Sequence, residues 1–123
     1  MLIPKYKLIL SLIFLASLLL GRNSLYSIAV LDFVPQGVTP ELAGTLTDHF
    51  AAELNNTNAM RMVNRSRMSR VFNDKGFDQT GCDSIDCAVI AGYMLGVEQM
   101  IVGSIWKLDT TYTIDVHIIS VQY

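Results

Sequence analysis

Residues 97–121, VEQMIVGSIWKLDTTYTIDVHIISV, decide the fold that this sequence predicts. Residues 97–106 are mainly apolar, with apolar side chains at both odd and even positions, which predicts a strand buried on both faces of a sheet. Residues 107–111 predict a turn, and residues 112–121 alternate between apolar and polar side chains, which indicates a strand with one wet face. Because so short a turn joins neighbouring antiparallel strands, the stretch predicts a hairpin of one central strand and one edge strand.

Helix-end signals place three helices before this hairpin. A hydroxyl side chain can cap each helix at its start, and the predicted caps are Thr39, Ser66 and Ser84. Pro40 suits the first turn of the first helix, while Gly76 and Gly96 suit the left-handed positions that end the second and third. The first helix is predicted to end near Leu54 and to bury a stripe with a four-residue spacing: Leu42, Leu46, Phe50 and Leu54.

Two further strands complete the predicted order β-α-β-α-α-β-β. Residues 28–33, IAVLDF, are apolar on both faces, residues 34–38 predict a loop, and residues 59–64 predict a short strand. Strands separated by helices pair in parallel, whereas the terminal hairpin is antiparallel. The predicted fold class is therefore α/β, a mixed four-stranded sheet packed with three helices, with residues 28–33 and 97–105 at its centre.

The first 21 residues predict an export signal. Lys5 and Lys7 precede the uncharged run Leu8–Leu20, and a basic start with a short apolar run is typical of a secretory signal peptide. An uncleaved membrane anchor is the alternative, although a bilayer-spanning helix needs about 20 apolar residues. Cleavage after Gly21 leaves seven basic and eleven acidic residues, a balance that argues against nucleic-acid binding. We expect a signal peptide at residues 1–21 and one α/β domain at residues 28–123.

Cys82 and Cys87 lie at the start of the third predicted helix. Cysteines of an exported protein tend to pair, so the main prediction is a disulfide that fastens the preceding loop to this helix. A thioredoxin-like pair has a different spacing, but a helix N-terminus can lower the pKa of a thiol, which keeps thiol–disulfide exchange as an alternative. A zinc site needs about four ligands, and His49 and His117 lie in other elements. We therefore predict no metal and no cofactor.

Two further sets of residues are candidates for binding. Four arginines lie within ten positions: Arg61, Arg65, Arg67 and Arg70. They predict either a solvated face or a docking patch for an acidic partner. Asp32 ends a predicted central strand, where ligands of open α/β sheets bind, although a carboxylate that caps loop amides explains it as well. No nucleophile elbow and no helical histidine pair occurs in the sequence, so no catalytic residue is predicted.

Four stretches of the chain resemble the envelope-assembly family of the curli secretion lipoprotein CsgG and the related TolB amino-terminal-like domains. Their shared pattern is a strand ending in Asp-Phe, then Asn-Arg-Ser, Gly-Phe, a small-residue helix ending in Leu-Gly-Val, and a Val-Gly-Ser strand. The four stretches are residues 28–33, 38–54, 62–82 and 87–121.

The resemblance implies a periplasmic α/β domain that works through protein contacts. Relatives build a secretion channel, activate a cell-wall synthase of the penicillin-binding type, or support flagellar envelope functions. This chain has no cysteine directly after its apolar run, where a lipid would be attached, and no amphipathic strands of the kind that build the curli pore. The resemblance therefore implies neither a lipid anchor nor a channel.

These observations predict a non-enzymatic, exported envelope protein that supports assembly or secretion at the outer membrane. The expected partners are envelope proteins, in an outer-membrane or cell-wall assembly complex, and not nucleic acid. Contact with the membrane is expected only through an uncleaved N-terminal segment, and the sequence leaves homo-oligomerisation open. The alternative is a thiol–disulfide redox protein that uses Cys82 and Cys87.

Overall fold

The computed structural model describes residues 25–123 and six positions of the N-terminal segment: Lys5, Lys7, Ile9, Ser11, Leu12 and Ile13. The predicted signal peptide at residues 1–21 otherwise lies outside the described residues. Within the part of the chain that is described, no helix has the length and apolar character needed to cross a membrane.

Residues 25–123 form five strands and three helices in one α/β arrangement. In chain order these elements are β1 (Ser27–Val30), β2 (Val34–Gln36), α1 (Pro40–Asn56), β3 (Arg61–Met62), α2 (Arg65–Lys75), α3 (Ile85–Leu95), β4 (Gln99–Leu108) and β5 (Thr111–Ser120).

Strand β4 lies at the centre of the sheet. Strands β1 and β2 pair in parallel with successive parts of one edge of β4, and β3 pairs in parallel with the outer edge of β1. Strand β5 pairs antiparallel along the other edge of β4 over its whole length. The predicted mixed sheet, its central strands and its terminal hairpin are thereby confirmed.

The sheet has five strands rather than the predicted four, because residues 34–36 form a strand instead of a loop. Val30 lies opposite Ile101 and Val34 opposite Ser104, so the chain of β1 and β2 contains one residue more than the β4 segment that it follows. Such an extra residue is a bulge, which bends the strand and then lets pairing resume. Pro35 is tolerated in β2 because β2 pairs with a strand on one side only among the described residues.

Most of the helix ends are placed by the predicted residues. Thr39 accepts a hydrogen bond from the Leu42 amide at 3.1 Å, and Ser84 accepts one from the Cys87 amide at 3.2 Å. Gly76 and Gly96 are left-handed with φ of 66° and 68°. The start of α2 is a correction: Asn64, not Ser66, is the cap, and its side chain accepts from the amides of Ser66 and Arg67.

The helices bury two separate cores on the two faces of the sheet. Helix α1 packs against Ile28, Val30, Phe33, Ile101 and Ile105, while α2 and α3 pack against the opposite face. The buried line of α1 runs one position later than the predicted leucine stripe and consists of Ala43, Thr47 and Ala51. Small side chains on this line let the helix approach the sheet closely, so the larger leucines lie along its flanks.

Candidate functional site

Asp32 and Arg65 form the polar junction at the carboxyl end of β1. Arg65 is the first residue of α2, and its guanidinium donates to the Asp32 carboxylate and, at 2.7 Å, to the carbonyl oxygen of Val30. The same guanidinium forms an ion pair with Asp48 of α1. Arg65 therefore joins α1, α2 and the end of β1, and its side chain is only 25% exposed.

This junction separates Arg65 from the predicted arginine patch. The guanidinium is directed into the molecule, where two carboxylates and a carbonyl oxygen engage it. Asp32, predicted as a weak candidate for ligand binding, is one of those carboxylates. A guanidinium held by three acceptors has little freedom to bind a partner, so the junction is best explained as a structural contact.

A small crevice of about 150 Å³ does lie beside Asp32, where open α/β sheets bind their ligands. Its walls come from β2, the start of α1 and the loop before α3, and Gln79 of that loop accepts a hydrogen bond from the Asp32 amide at 3.1 Å. In the same loop, hydrogen bonds from Thr80 lower the pKa of Asp78. The crevice is thus closed on one side by a loop with its own polar contacts.

The other three arginines are exposed on one flank of the domain, which we call the arginine flank: Arg61, Arg67 and Arg70. Arg61 and Arg67 line the same open cleft of about 460 Å³, between β3 and the end of α3. Arg67 and Arg70 are three positions apart on α2 and so lie on one side of that helix. Arg61 is 3.8 Å from Glu98 and also donates to the Leu25 carbonyl oxygen. The structure therefore brings three of the four predicted arginines to one surface.

Cys82 and Cys87 are joined by a disulfide, with 5.6 Å between their α-carbons. Cys82 is 2% exposed and packs within the core under α2 and α3, whereas Cys87 is half-buried at the start of α3. The bond fastens the loop before α3 to that helix. Because the buried sulfur of Cys82 is shielded from an incoming thiol, this geometry favours a structural disulfide over thiol–disulfide exchange.

His117 of β5 lies nearer to this loop than the sequence indicates. It borders a surface hollow of about 410 Å³ together with Asp83, Ser84 and Ile85. The antiparallel return of β5 along β4 causes this placement, and no local pattern encodes it. Among the described residues no group of three or more His, Cys, Asp or Glu side chains converges as a metal site would require.

The largest feature that the sequence does not predict is an exposed apolar row on β5. Ile114 and Ile118 lie opposite Ile105 and Ile101 of β4, so they share the face that α1 covers further along the sheet. Helix α1 packs over β1 and β4 but not over β5. We call the uncovered side chains the β5 row: Tyr112, Ile114, Val116 and Ile118, which are 51%, 48%, 37% and 62% exposed.

The expectation that only one face of β5 is exposed to solvent is wrong, because the β5 row is exposed as well. The polar face carries Thr113, Asp115 and His117, and these are exposed as predicted. The apolar face is exposed as well, because α1, the helix that residues 25–123 place on that side, is too far along the sheet to cover it. Alternation along a strand identifies its apolar face, but it does not show whether another element covers that face.

Comparison with solved structures identifies the fold. The LpoB C-terminal domain from Escherichia coli superimposes with a TM-score of 0.62 and 14% identity, over 86% of this chain and 82% of that domain. The same domain from Salmonella enterica superimposes with a TM-score of 0.62 and 13% identity, over 85% of this chain and 80% of that domain. The solution structure of E. coli LpoB superimposes with a TM-score of 0.60 and 14% identity, over 85% of this chain and 55% of that one.

Comparison of sequences adds no relative. No protein-family model matches the chain, and no curated protein matches it. At the low identities above, the likeness to LpoB shows a shared fold. The resemblance to CsgG stays a prediction from the sequence.

Proposed function

We propose that this chain is a non-enzymatic interaction domain of the cell envelope, exported to the periplasm, which supports assembly at the outer membrane or cell wall. The observation that carries the proposal is the β5 row, because four neighbouring apolar side chains on an uncovered strand mark a surface that other proteins bind. The proposed work of the domain is contact rather than bond-making.

Four further observations support the envelope setting. The fold is that of the LpoB C-terminal domain, and the sequence resembles envelope-assembly proteins over most of residues 28–121. The N-terminal residues have the composition of a signal peptide. The disulfide between Cys82 and Cys87 fits an oxidising compartment, where such bonds persist.

The arginine flank is the proposed contact for a heterologous partner. Three exposed guanidinium groups stand on one side of a chain whose formal net charge is −2. A basic surface on an acidic protein steers acidic partners toward that side and fixes their orientation. We propose an acidic surface of an envelope protein as the partner, and Arg67 with Arg70 as the residues that contact it.

The test is capture of partners from envelope extracts by the purified protein, followed by identification by mass spectrometry. We expect the wild-type chain to retain one or more envelope proteins, and the double variant Arg67→Glu/Arg70→Glu to retain them several-fold less. Lys75→Glu is the matched control, because Lys75 is also an exposed cation of α2. Circular dichroism on each variant checks that the fold is intact.

Two outcomes would contradict parts of this proposal. If the wild-type chain retains no envelope protein in any extract, the interaction role is wrong. If the double variant retains its partner as well as the wild type does, the role stands and the arginine flank is not the contact. Retention that weakens with added salt in the wild type alone would support the charged contact.

A further inference from the structure

Strand β5 is a long unprotected edge. It has ten residues and pairs only with β4 among the described residues. Edge strands are normally protected by shortness, proline or lysine. The opposite edge of the sheet consists of the two-residue β3 and the three-residue β2, which contains Pro35, whereas β5 contains no proline, lysine or arginine. Its outward N–H and C=O groups therefore offer a full-length template for another strand.

We infer that a second copy of this chain pairs antiparallel with β5, so that the two sheets join into one across a two-fold axis. The inference deepens the proposed interaction role and rests on it. A two-fold axis perpendicular to the sheet keeps the faces of both copies on the same sides. Residues that lie opposite each other must then be on the same face of the joined sheet. Because side chains alternate between faces along a strand, this holds only if the two-fold axis passes beside one residue of β5 and not between two residues.

Two registers overlap nearly the whole of β5, and charge selects between them. Centring on Asp115 would place that carboxylate directly opposite the same carboxylate of the second copy, which is unfavourable. Centring on Val116 places Asp115 opposite the second copy's His117, and His117 opposite its Asp115. The sequence Asp-Val-His is therefore self-complementary in the second register and self-repelling in the first.

The apolar face is complementary in the same register. Ile114 then lies opposite Ile118 of the second copy, and Val116 lies opposite its own equivalent. The β5 rows of both copies then form one continuous apolar surface, in which Ile114, Val116 and Ile118 each gain an apolar neighbour across the two strands, while Tyr112 lies opposite Ser120. The assembly closes at two copies, because the remaining edge of each sheet consists of two short strands, the two-residue β3 and the three-residue β2.

Charge-swapped variants test this register. Each protein would be purified in the processed form that cells contain, and its oligomeric state would be measured by sedimentation equilibrium. We expect the wild type to sediment as a dimer. Asp115→Lys places Lys opposite His, and His117→Asp places Asp opposite Asp, so each variant alone should lose the dimer. An equimolar mixture of the two should recover it as a heterodimer, because Lys then faces Asp and His faces Asp at the two positions.

The controls separate charge, folding and register. Glu53→Lys carries the same charge change as Asp115→Lys on the exposed face of α1, and it should leave the dimer unchanged. Recovery in the mixture shows that neither variant is misfolded. A wild type that is monomeric at all concentrations would overturn the inference, as would single variants that dimerise like the wild type or a mixture that stays monomeric.

The proposed function is tested separately on the same variants. If the dimer is absent but partner capture persists in the wild type, this inference fails and the interaction role stands. If the dimer forms in the Val116-centred register and no envelope protein is captured, the inference stands and the heterologous role fails.

Discussion

The guanidinium of Arg65 binds the carboxylate of Asp32, which lies 33 positions earlier in the chain. One residue begins α2 and the other follows β1, so the pair closes the crossover between the first strand and the second helix. Arg65 also reaches the Val30 carbonyl oxygen at 2.7 Å, at the point where β1 ends and the bulge begins. The contact explains why the bulged end of β1 is held in place.

Removing this guanidinium should destabilise the fold. Arg65→Met would leave the Asp32 carboxylate and the Val30 carbonyl oxygen without their donor, at a cost of about 1–2 kcal/mol because the site is partly exposed. Urea unfolding would measure the change. Arg70→Met, on the exposed side of the same helix, should change the free energy of unfolding by less than about 0.5 kcal/mol. If both substitutions change the free energy of unfolding by the same small amount, the Arg65 contacts do not stabilise the fold.

The hydroxyl of Thr47 should matter to the bulge. Thr47 is fully buried on α1, accepts from the Phe33 amide at 3.0 Å and donates to the Ala43 carbonyl oxygen at 2.7 Å. Thr47→Val keeps the volume but leaves the Phe33 N–H unsatisfied, which should cost about 1–3 kcal/mol of unfolding free energy. Thr45→Val removes an exposed hydroxyl of the same helix and is the control, with an expected change within about 0.5 kcal/mol. If Thr47→Val leaves the free energy of unfolding unchanged, water or another group satisfies the Phe33 amide.

Reduction of the disulfide should lower stability without abolishing the fold. The bond between Cys82 and Cys87 closes a short loop, and the entropy of so short a loop corresponds to about 2 kcal/mol. Thermal unfolding with and without a thiol reductant would show the difference. The double variant Cys82→Ala/Cys87→Ala should be insensitive to the reductant. A wild type that is equally insensitive would contradict the assignment of a stabilising disulfide.

Two glycines should respond in opposite directions to alanine. A β-carbon at Gly103 of β4 would overlap the carbonyl oxygen of Asp115 in β5 and approach the Phe33 ring at 3.2 Å. Gly103→Ala should therefore cost about 1–3 kcal/mol. Gly44 of α1 has nothing within 4 Å of that position, and Gly44→Ala should raise the free energy of unfolding by about 0.5–1 kcal/mol. Chemical denaturation of both variants checks the pair, and a neutral Gly103→Ala would contradict the described closeness of β4 and β5.

Features encoded by adjacent residues could be predicted from the sequence. The caps at Thr39 and Ser84 and the left-handed Gly96 are local, because each depends on a side chain or backbone preference within one turn. The central position of residues 97–105 followed from their apolar character on both faces. The hairpin followed from the shortness of the turn after them.

Features that depend on contacts between distant parts of the chain could not be predicted from the sequence. The bond between Arg65 and Asp32 joins residues 33 positions apart, so a run of four arginines gave no sign that one of them points inward. Strand β2 exists because a bulge restores pairing after Phe33, although Pro35 and Gly37 have the composition of a loop. The exposure of the β5 row depends on where α1 ends its cover of the sheet, which the pattern of β5 does not contain.

Photo-crosslinking in living cells would show whether the domain binds proteins in the envelope. A photoreactive residue would replace Arg70 in the arginine flank, Ile114 in the β5 row, or Glu53 on α1 as the control. We expect a crosslink from Ile114 to a second copy, one from Arg70 to an envelope protein, and none from Glu53. Absence of crosslinks from both Arg70 and Ile114, or equal products from Glu53, would contradict this expectation.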